Sequence, residues 1–292
     1  MKTRTVELVS KPPQPHWVGD GFRVHNFIPG SYHLEMERMN PFILLDYNSK
    51  YTFPASETPK GVGVHPHRGF ETVTIAYKGK VEHHDSGGGG GVIGEGDVQW
   101  MTAAGGVLHK EYHETEWSKT GGLFQMVQLW VNLPSKVKMS DPKYQAIKNE
   151  DISRHKLDEN GSEIEVIAGN YKGINGSAST FTPIHMYNAK LKEGAEFDIE
   201  LPSNFNTVVL VIEGNVLIND SENVPVDNLA LMANDGENFK IKALSDSVVL
   251  VLSGEPIDEP IAAHGPFVMN TKKEIFQAYS DFNNGKFGYL ED

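Results

Sequence analysis

The chain has 292 residues, no cysteine, and 39 acidic against 26 basic side chains, a formal charge of −13. The missing cysteines exclude disulfides, thiolate metal sites and thiol nucleophiles. The acidic balance argues against direct nucleic-acid binding, which needs a basic footprint, and the length suits two domains with cores of their own.

The opening stretch, MKTRTVELVSKPPQPHWVGDG, has no apolar run of the kind a signal peptide carries, so a cytoplasmic location is expected. The longest apolar runs, TVVLVI and SVVLVL, are strand-length and too short to span a bilayer, so no membrane association is expected. HLEMERM (33–39) alternates and reads as a strand. FETVTIAYKGKVEHHD (70–85) reads as strand, turn at Lys78-Gly79, strand. Five glycines, 87–91, lack the lysine and following helix of a phosphate loop and read as a flexible hairpin loop. Residues 91–113 read as short strands broken by glycine turns, and GLFQMVQLWVNLP alternates until Pro134 ends it.

Residues 136–161 are polar and read as a linker with a short helix over DPKYQAI, Asp141 capping it ahead of Pro142. A second all-β stretch follows, with turns at Glu193-Gly194, Glu213-Gly214, Asp220-Ser221 and Asp235-Gly236. YKGKVEHHDS and IEGNVLINDS share one strand–turn–strand rhythm, so the second half reads as a duplicate of the first. The expected division is 1–135, 136–161 and 162–292. Near the end, Ile275, Phe276, Tyr279 and Phe282 keep helical spacing, with Asn270 or Thr271 as cap, Glu274 behind it and Gly285 as terminator. The architecture expected from short, glycine-punctuated strands is all-β, sandwich or barrel.

One constellation carries chemistry. His65 and His67 lie two apart, on one side of a strand, with Pro66 placing them at a strand start or edge. His109 and Glu111 repeat the spacing, and His113 continues it. A lone His-x-His is weak; two such pairs in glycine-rich β sequence are a metal-site signal. Three imidazoles and a carboxylate suit a borderline divalent ion and leave positions open in an octahedral shell. Iron(II) is the first expectation; manganese, nickel, copper or zinc suit the same donors in vitro. Glu71, four after His67, rivals Glu111 for the carboxylate position, and neither parity nor charge separates them. His83 and His84 are adjacent and face opposite ways, reading as strand surface with one able to support the site. The other histidines, 16, 25, 33, 155, 185 and 264, read as structural or exposed.

The chain resembles the pirin family of the cupin superfamily. The resemblance rests on NPFILLDY, HPHRGFETVT, GDVQWMTAAGGVLHKE, LWVNLP, SGEPIDEP and HGPFVMNTKKEIFQAYSDF, without extending to Phe276, Tyr279 or Ser280. It implies two tandem cupin barrels (double-stranded β-helices), with the metal in the first and none in the second, which has no His-x-His. The general cupin pattern would take His65, His67, Glu71 and His109. The pirin pattern takes its glutamate two residues after the last histidine, giving His65, His67, His109 and Glu111 and leaving Glu71 as a neighbour. Several pirins are quercetin 2,3-dioxygenases, which open the flavonol's central ring with O₂ and release carbon monoxide. The resemblance therefore implies a small aromatic substrate and O₂ as partners, with Glu111 or Glu71 accepting the substrate hydroxyl's proton. Phe42, Trp100 and Met101 are candidates for the pocket wall. The alternative expectation is a redox-sensing, metal-containing module that binds a protein partner without turnover.

Overall fold

The structure is a computed structural model and describes residues 2–292. It is built almost wholly of antiparallel strands, as the alternating segments require, in two units of matching plan. In the first unit a seven-stranded sheet runs Lys143–Ile147, Val98–Thr102, Phe70–Lys78, Gly122–Asn132, Phe42–Phe53, Phe22–Ile28, His16–Val18. A four-stranded sheet closes over it, in the order Gly61–His67, Val107–His113, Val81–Asp85, Gly90–Ile93. The second unit repeats this with another seven-stranded sheet and a four-stranded one, Glu196–Glu200, Asn238–Ala243, Asn215–Ile218, Glu222–Pro225. The tandem β-barrel architecture expected from the sequence is present, and the paired stretches 77–86 and 212–221 occupy equivalent hairpins.

The two large sheets face each other. Val73, Ile75, Trp100, Val127 and Leu129 from the first unit and Val208, Leu210, Leu231, Leu250 and Leu252 from the second form one buried cluster between them. The central strands of the large sheets therefore bury both faces, one toward their own barrel and one toward the other barrel. This is why stretches such as TVVLVI are continuous rather than alternating.

Several expectations need correction. Residues 143–147, read as a linker helix, form a strand paired with 98–102 in the first large sheet, with Lys143 opposite Thr102; the β-branched and aromatic content of that sheet edge outweighs the local capping signal. The linker's helical turn is instead the 3₁₀ turn Asn149–Asp151. HLEMERM is not a strand: Met36–Met39 is a short helix, with Leu34 and Met39 buried in the inter-barrel cluster. A further short helix, Thr115–Thr120, was not anticipated; Glu114 caps it by accepting from the Glu116 and Trp117 amides. The terminal helix is Lys272–Asn283, with Thr271 and Glu274 forming the capping box that the sequence signalled.

The division at 1–135 and 162–292 also needs amending, because the chain ends exchange barrels. Val6–Ser10 pairs with Leu229–Met232 in the second large sheet. Arg4, fully buried, fastens this arm through Nη1 to Thr207 Oγ1 (2.6 Å) and Nε to the Gly236 carbonyl (2.9 Å). At the other end, the terminal helix and the residues after it pack on the outside of the first barrel's small sheet, over Leu108. Among the described residues no helix is long and apolar enough to cross a membrane.

Candidate metal centre

His65 and His67 lie on Gly61–His67, the edge strand of the first small sheet, and His109 and Glu111 on Val107–His113 beside it. His109 is directly opposite His65, as two pairs at strand parity demand. The next pairing is irregular. Glu111 is opposite Val62, so the partner strand spends three residues where Val107–His113 spends two. This β-bulge at Gly63-Val64 turns both Val62 and His65 inward, although they are three apart. His67 and His109 are fully buried, and the ligating nitrogens of all three histidines lie within 4.8 Å of one another.

The donor set fits a divalent cation. His65 Nδ1–H donates to the Gly63 carbonyl (2.8 Å), which leaves its Nε2 lone pair free. His67 Nε2 and His109 Nε2 face each other at 3.0 Å. Burial, and then the neighbouring histidines, hold both rings well below the ordinary histidine pKa, so they are neutral. At most one proton can lie between two neutral nitrogens so placed. An unmatched buried acceptor costs about 1–3 kcal/mol, whereas a shared cation satisfies all three nitrogens at once.

Glu111 stands beside this group, with Oε2 3.8 Å from His109 Nε2 and Oε1 3.5 Å from Thr74 Oγ1. Burial pushes its carboxyl up to about 7, against the opposing effect of hydrogen bonds from Thr74 and Gln128. Glu71 is elsewhere. The chain corners at Arg68-Gly69, Gly69 adopting a φ of +92° where a Cβ would strike the Val268 carbonyl. Glu71 therefore starts a strand of the other sheet, and parity counted from His67 no longer applies. Three residues from the inward Thr74, it points to the opposite face, toward the second barrel, and accepts from Thr102 Oγ1 at 2.7 Å. Burial raises its carboxyl also to about 7, with Thr102 the largest counterweight.

Lys138 fixes that corner and gave no sign of doing so in the sequence. Buried, it donates to the Gly69 and Val268 carbonyls (2.7 and 2.9 Å) and to Asn132 Oδ1 (2.7 Å), and burial pushes its ammonium down to about 7. Arg68, next to His67, is clamped by Asp281 of the terminal helix (2.8 Å) and by the Phe287 ring 4.6 Å from its guanidinium. His83 and His84 do face opposite ways. His84 is exposed, but His83 is fully buried, directly across from Glu111, and its Nε2 meets the Tyr144 hydroxyl. His113 follows the inward parity yet does not join the group. It donates to the Gly21 carbonyl and packs among Phe22, Phe53, Trp117 and Phe124. The glycine run closes the hairpin of 81–85 and 90–93 as a pinned turn: Asp85 Oδ1 accepts from the Gly87 and Gly89 amides, and a Cβ at Gly89 would strike Tyr144.

A cavity of about 90 Å³ opens beside His65, His67 and Glu111. Its wall is largely apolar, including Phe22, Val24, Leu44, Met126 and Trp130. The three residues anticipated for that wall are not in it. Phe42 and Trp100 are buried between the barrels, and Met101 packs with Ala103 and Val107. The sequence period places them on inward faces but does not say inward to which space.

Two face-to-face cupin-type barrels, with a three-histidine group and a carboxylate that among the described residues lie inside the first alone, define a bicupin with a metal-type centre in one half. Residues 21–131 match the pirin family model and residues 186–288 that of the pirin C-terminal cupin domain. The chain belongs to the pirin family. It is 49% identical over 272 residues to a protein of Pseudomonas aeruginosa named "putative quercetin 2,3-dioxygenase", covering 93% of this chain and 94% of that one. It is 39% identical over 279 residues to pirin-like protein 2 of Arabidopsis thaliana, covering 93% and 82%. The crystal structure of quercetin 2,3-dioxygenase from Acinetobacter baumannii superposes with a TM-score of 0.93 at 49% identity, covering 99% of this chain and all of that one.

Proposed function

We propose that this protein is a metal-dependent dioxygenase acting on a flavonol-like aromatic substrate such as quercetin. The observation that carries the reading is the gathering of three imidazoles, two of them buried, and one carboxylate beside an apolar cavity. The names borne by the relatives from Pseudomonas and Acinetobacter support it. The proposed ligands are His65, His67, His109 and Glu111, and the proposed ion is iron(II), with manganese, nickel, copper or zinc able to fit the same nitrogen and oxygen donors. A divalent ion held by these residues would supply Lewis acidity toward a substrate oxygen and O₂.

The chain's own residues supply the rest. The apolar wall excludes water and accepts a flat ring. Glu111, standing beside the histidines and lining the cavity, is placed to take up the substrate hydroxyl's proton. Glu71 faces away from the cavity, and its support for the site runs through the strand that follows the corner rather than through contact with substrate.

The test is the loss of quercetin absorbance in air by protein loaded with Fe²⁺, compared with metal-stripped protein. Metal-dependent loss above buffer, with carbon monoxide released, is expected. No loss with any of the five metals overturns the reading.

A further inference from the structure

The cavity wall beside the histidines is apolar except along one line. Asn26, Asp46, Gln128 and Thr74 occupy directly paired positions on four neighbouring strands, so their side chains share one face, and the row ends at Glu111. Thr74 and Gln128 bond to each other (2.6 Å) and hold Glu111, which explains that half of the row. Asp46 is not explained in this way. It lines the cavity, and Asn26 Nδ2 grips its Oδ1 at 2.7 Å while also donating to the Ile28 carbonyl at 3.0 Å, so the carboxylate is held in one orientation. Among the described residues, its Oδ2 has no hydrogen-bond partner, and no lysine or arginine pairs with Asp46.

Asp281, which ties the terminal helix to the first barrel, is by contrast bonded by Arg68, Lys286 and Gln277. Asp46 is half-buried in this apolar wall; desolvation raises its carboxyl's pKa, opposed by the Asn26 hydrogen bond and the nearby His16. A donor arriving with the substrate would answer its free oxygen. We infer that Asp46 is a specificity-determining residue: its free oxygen accepts a hydrogen bond from a ring hydroxyl of the substrate other than the one that reacts. The small cavity, about 90 Å³, keeps that hydroxyl on or next to the ring that meets the histidines. The preferred ligands are thus polyhydroxylated aromatics. This rests on reading the cavity as the substrate site.

Anaerobic equilibrium titration of the metal-loaded full chain tests it, following quenching of tryptophan fluorescence, since Trp130 lines the cavity. The probes are quercetin and 3-hydroxyflavone, which lacks the additional hydroxyls. A hydrogen bond to a charged group is worth roughly tenfold or more in affinity, so the wild type is expected to bind quercetin at least about tenfold more tightly. In Asp46→Asn and Asp46→Leu that ratio is expected to collapse toward one, with metal content retained; if the leucine variant loses metal, the asparagine variant decides. Under air, the same substitutions are expected to act on KM for quercetin more than on kcat. A ratio near one in the wild type, or a ratio unchanged in the variants, overturns the inference, as does failure to bind either flavonol. An Asp46-dependent preference without any O₂-dependent loss of quercetin would sink the dioxygenase reading and leave the subsite standing. Turnover with a ratio indifferent to Asp46 would do the reverse.

Discussion

The two barrels share a frame and differ in what fills it. Matching the small sheets strand for strand puts Ile199, Phe239 and Ile241 in the second barrel where His65, His109 and Glu111 stand in the first. All three are buried in a continuous apolar cluster. The pairing differs too. Glu196–Glu200 runs against Asn238–Ala243 without a break, whereas the first barrel carries a bulge between His109 and Glu111. In the second barrel, the regular alternation of Phe197 and Ile199 suffices to pack a core. In the first, the bulge absorbs one extra residue, so that His65 still meets His67 and His109 while Val62 covers Glu111. The frame is therefore generic, and the chemistry lies in a few polar residues grafted on it.

The largest effect expected from breaking this contrast is on metal. His67→Ala should drop bound metal from one per chain to near zero by elemental analysis. Glu111→Gln should weaken retention strongly, while Glu71→Gln leaves stoichiometry at one; the opposite order would restore the general cupin pattern. Deleting Val64 makes the first barrel's edge strand regular like the second's. We expect metal stoichiometry to stay near one by elemental analysis and circular dichroism still to report a β-protein, because Val62 and His65, then two apart, both still face inward opposite Glu111 and His109.

Ile241→Ala, at the position matching Glu111, probes the other side. It should cost about 2–5 kcal/mol in denaturant unfolding, as deletion of a buried aliphatic side chain does, with metal stoichiometry unchanged. The smallest effect is the pH response of Glu71 between the barrels. Its folded pKa of about 7 lies above its ordinary 4.5. The stability it contributes is therefore fully present below pH 4.5 and is lost as the pH rises through about 7. Glu71→Gln should flatten that part of the Tm profile, and an unchanged slope would show that the carboxyl is not buried as described.

Periodicity made much of this legible. Parity alone paired His65 with His67 and His109 with Glu111, because a strand's side-chain period is a local property of the backbone. The hairpin turns were legible for the same reason, their glycines adopting positive φ at 79, 194 and 214. His83 was half legible: the opposed faces of 83 and 84 follow from parity, but which of them is inside depends on the partner strand, Val107–His113. Lys138 was invisible, because its three acceptors come from residues 69, 132 and 268. The linker strand was misread because a plausible helix cap is local, while the sheet edge that recruits 143–147 lies some forty residues earlier in the chain, at 98–102.

The sequence by itself determined an all-β chain with a duplicated plan, three histidines with two rival carboxylates as candidates for one metal site, and a second half without a His-x-His pair. Only the tertiary structure decided which carboxylate stands beside the histidines, which apolar residues wall the cavity, and that the chain ends exchange barrels. The physical reason is that side-chain direction is inherited along a strand only until the chain turns a corner or bulges. The corner at Gly69 sends Glu71 to the far face of another sheet, and the bulge at Gly63-Val64 keeps Val62 and His65 both inward although they are three apart.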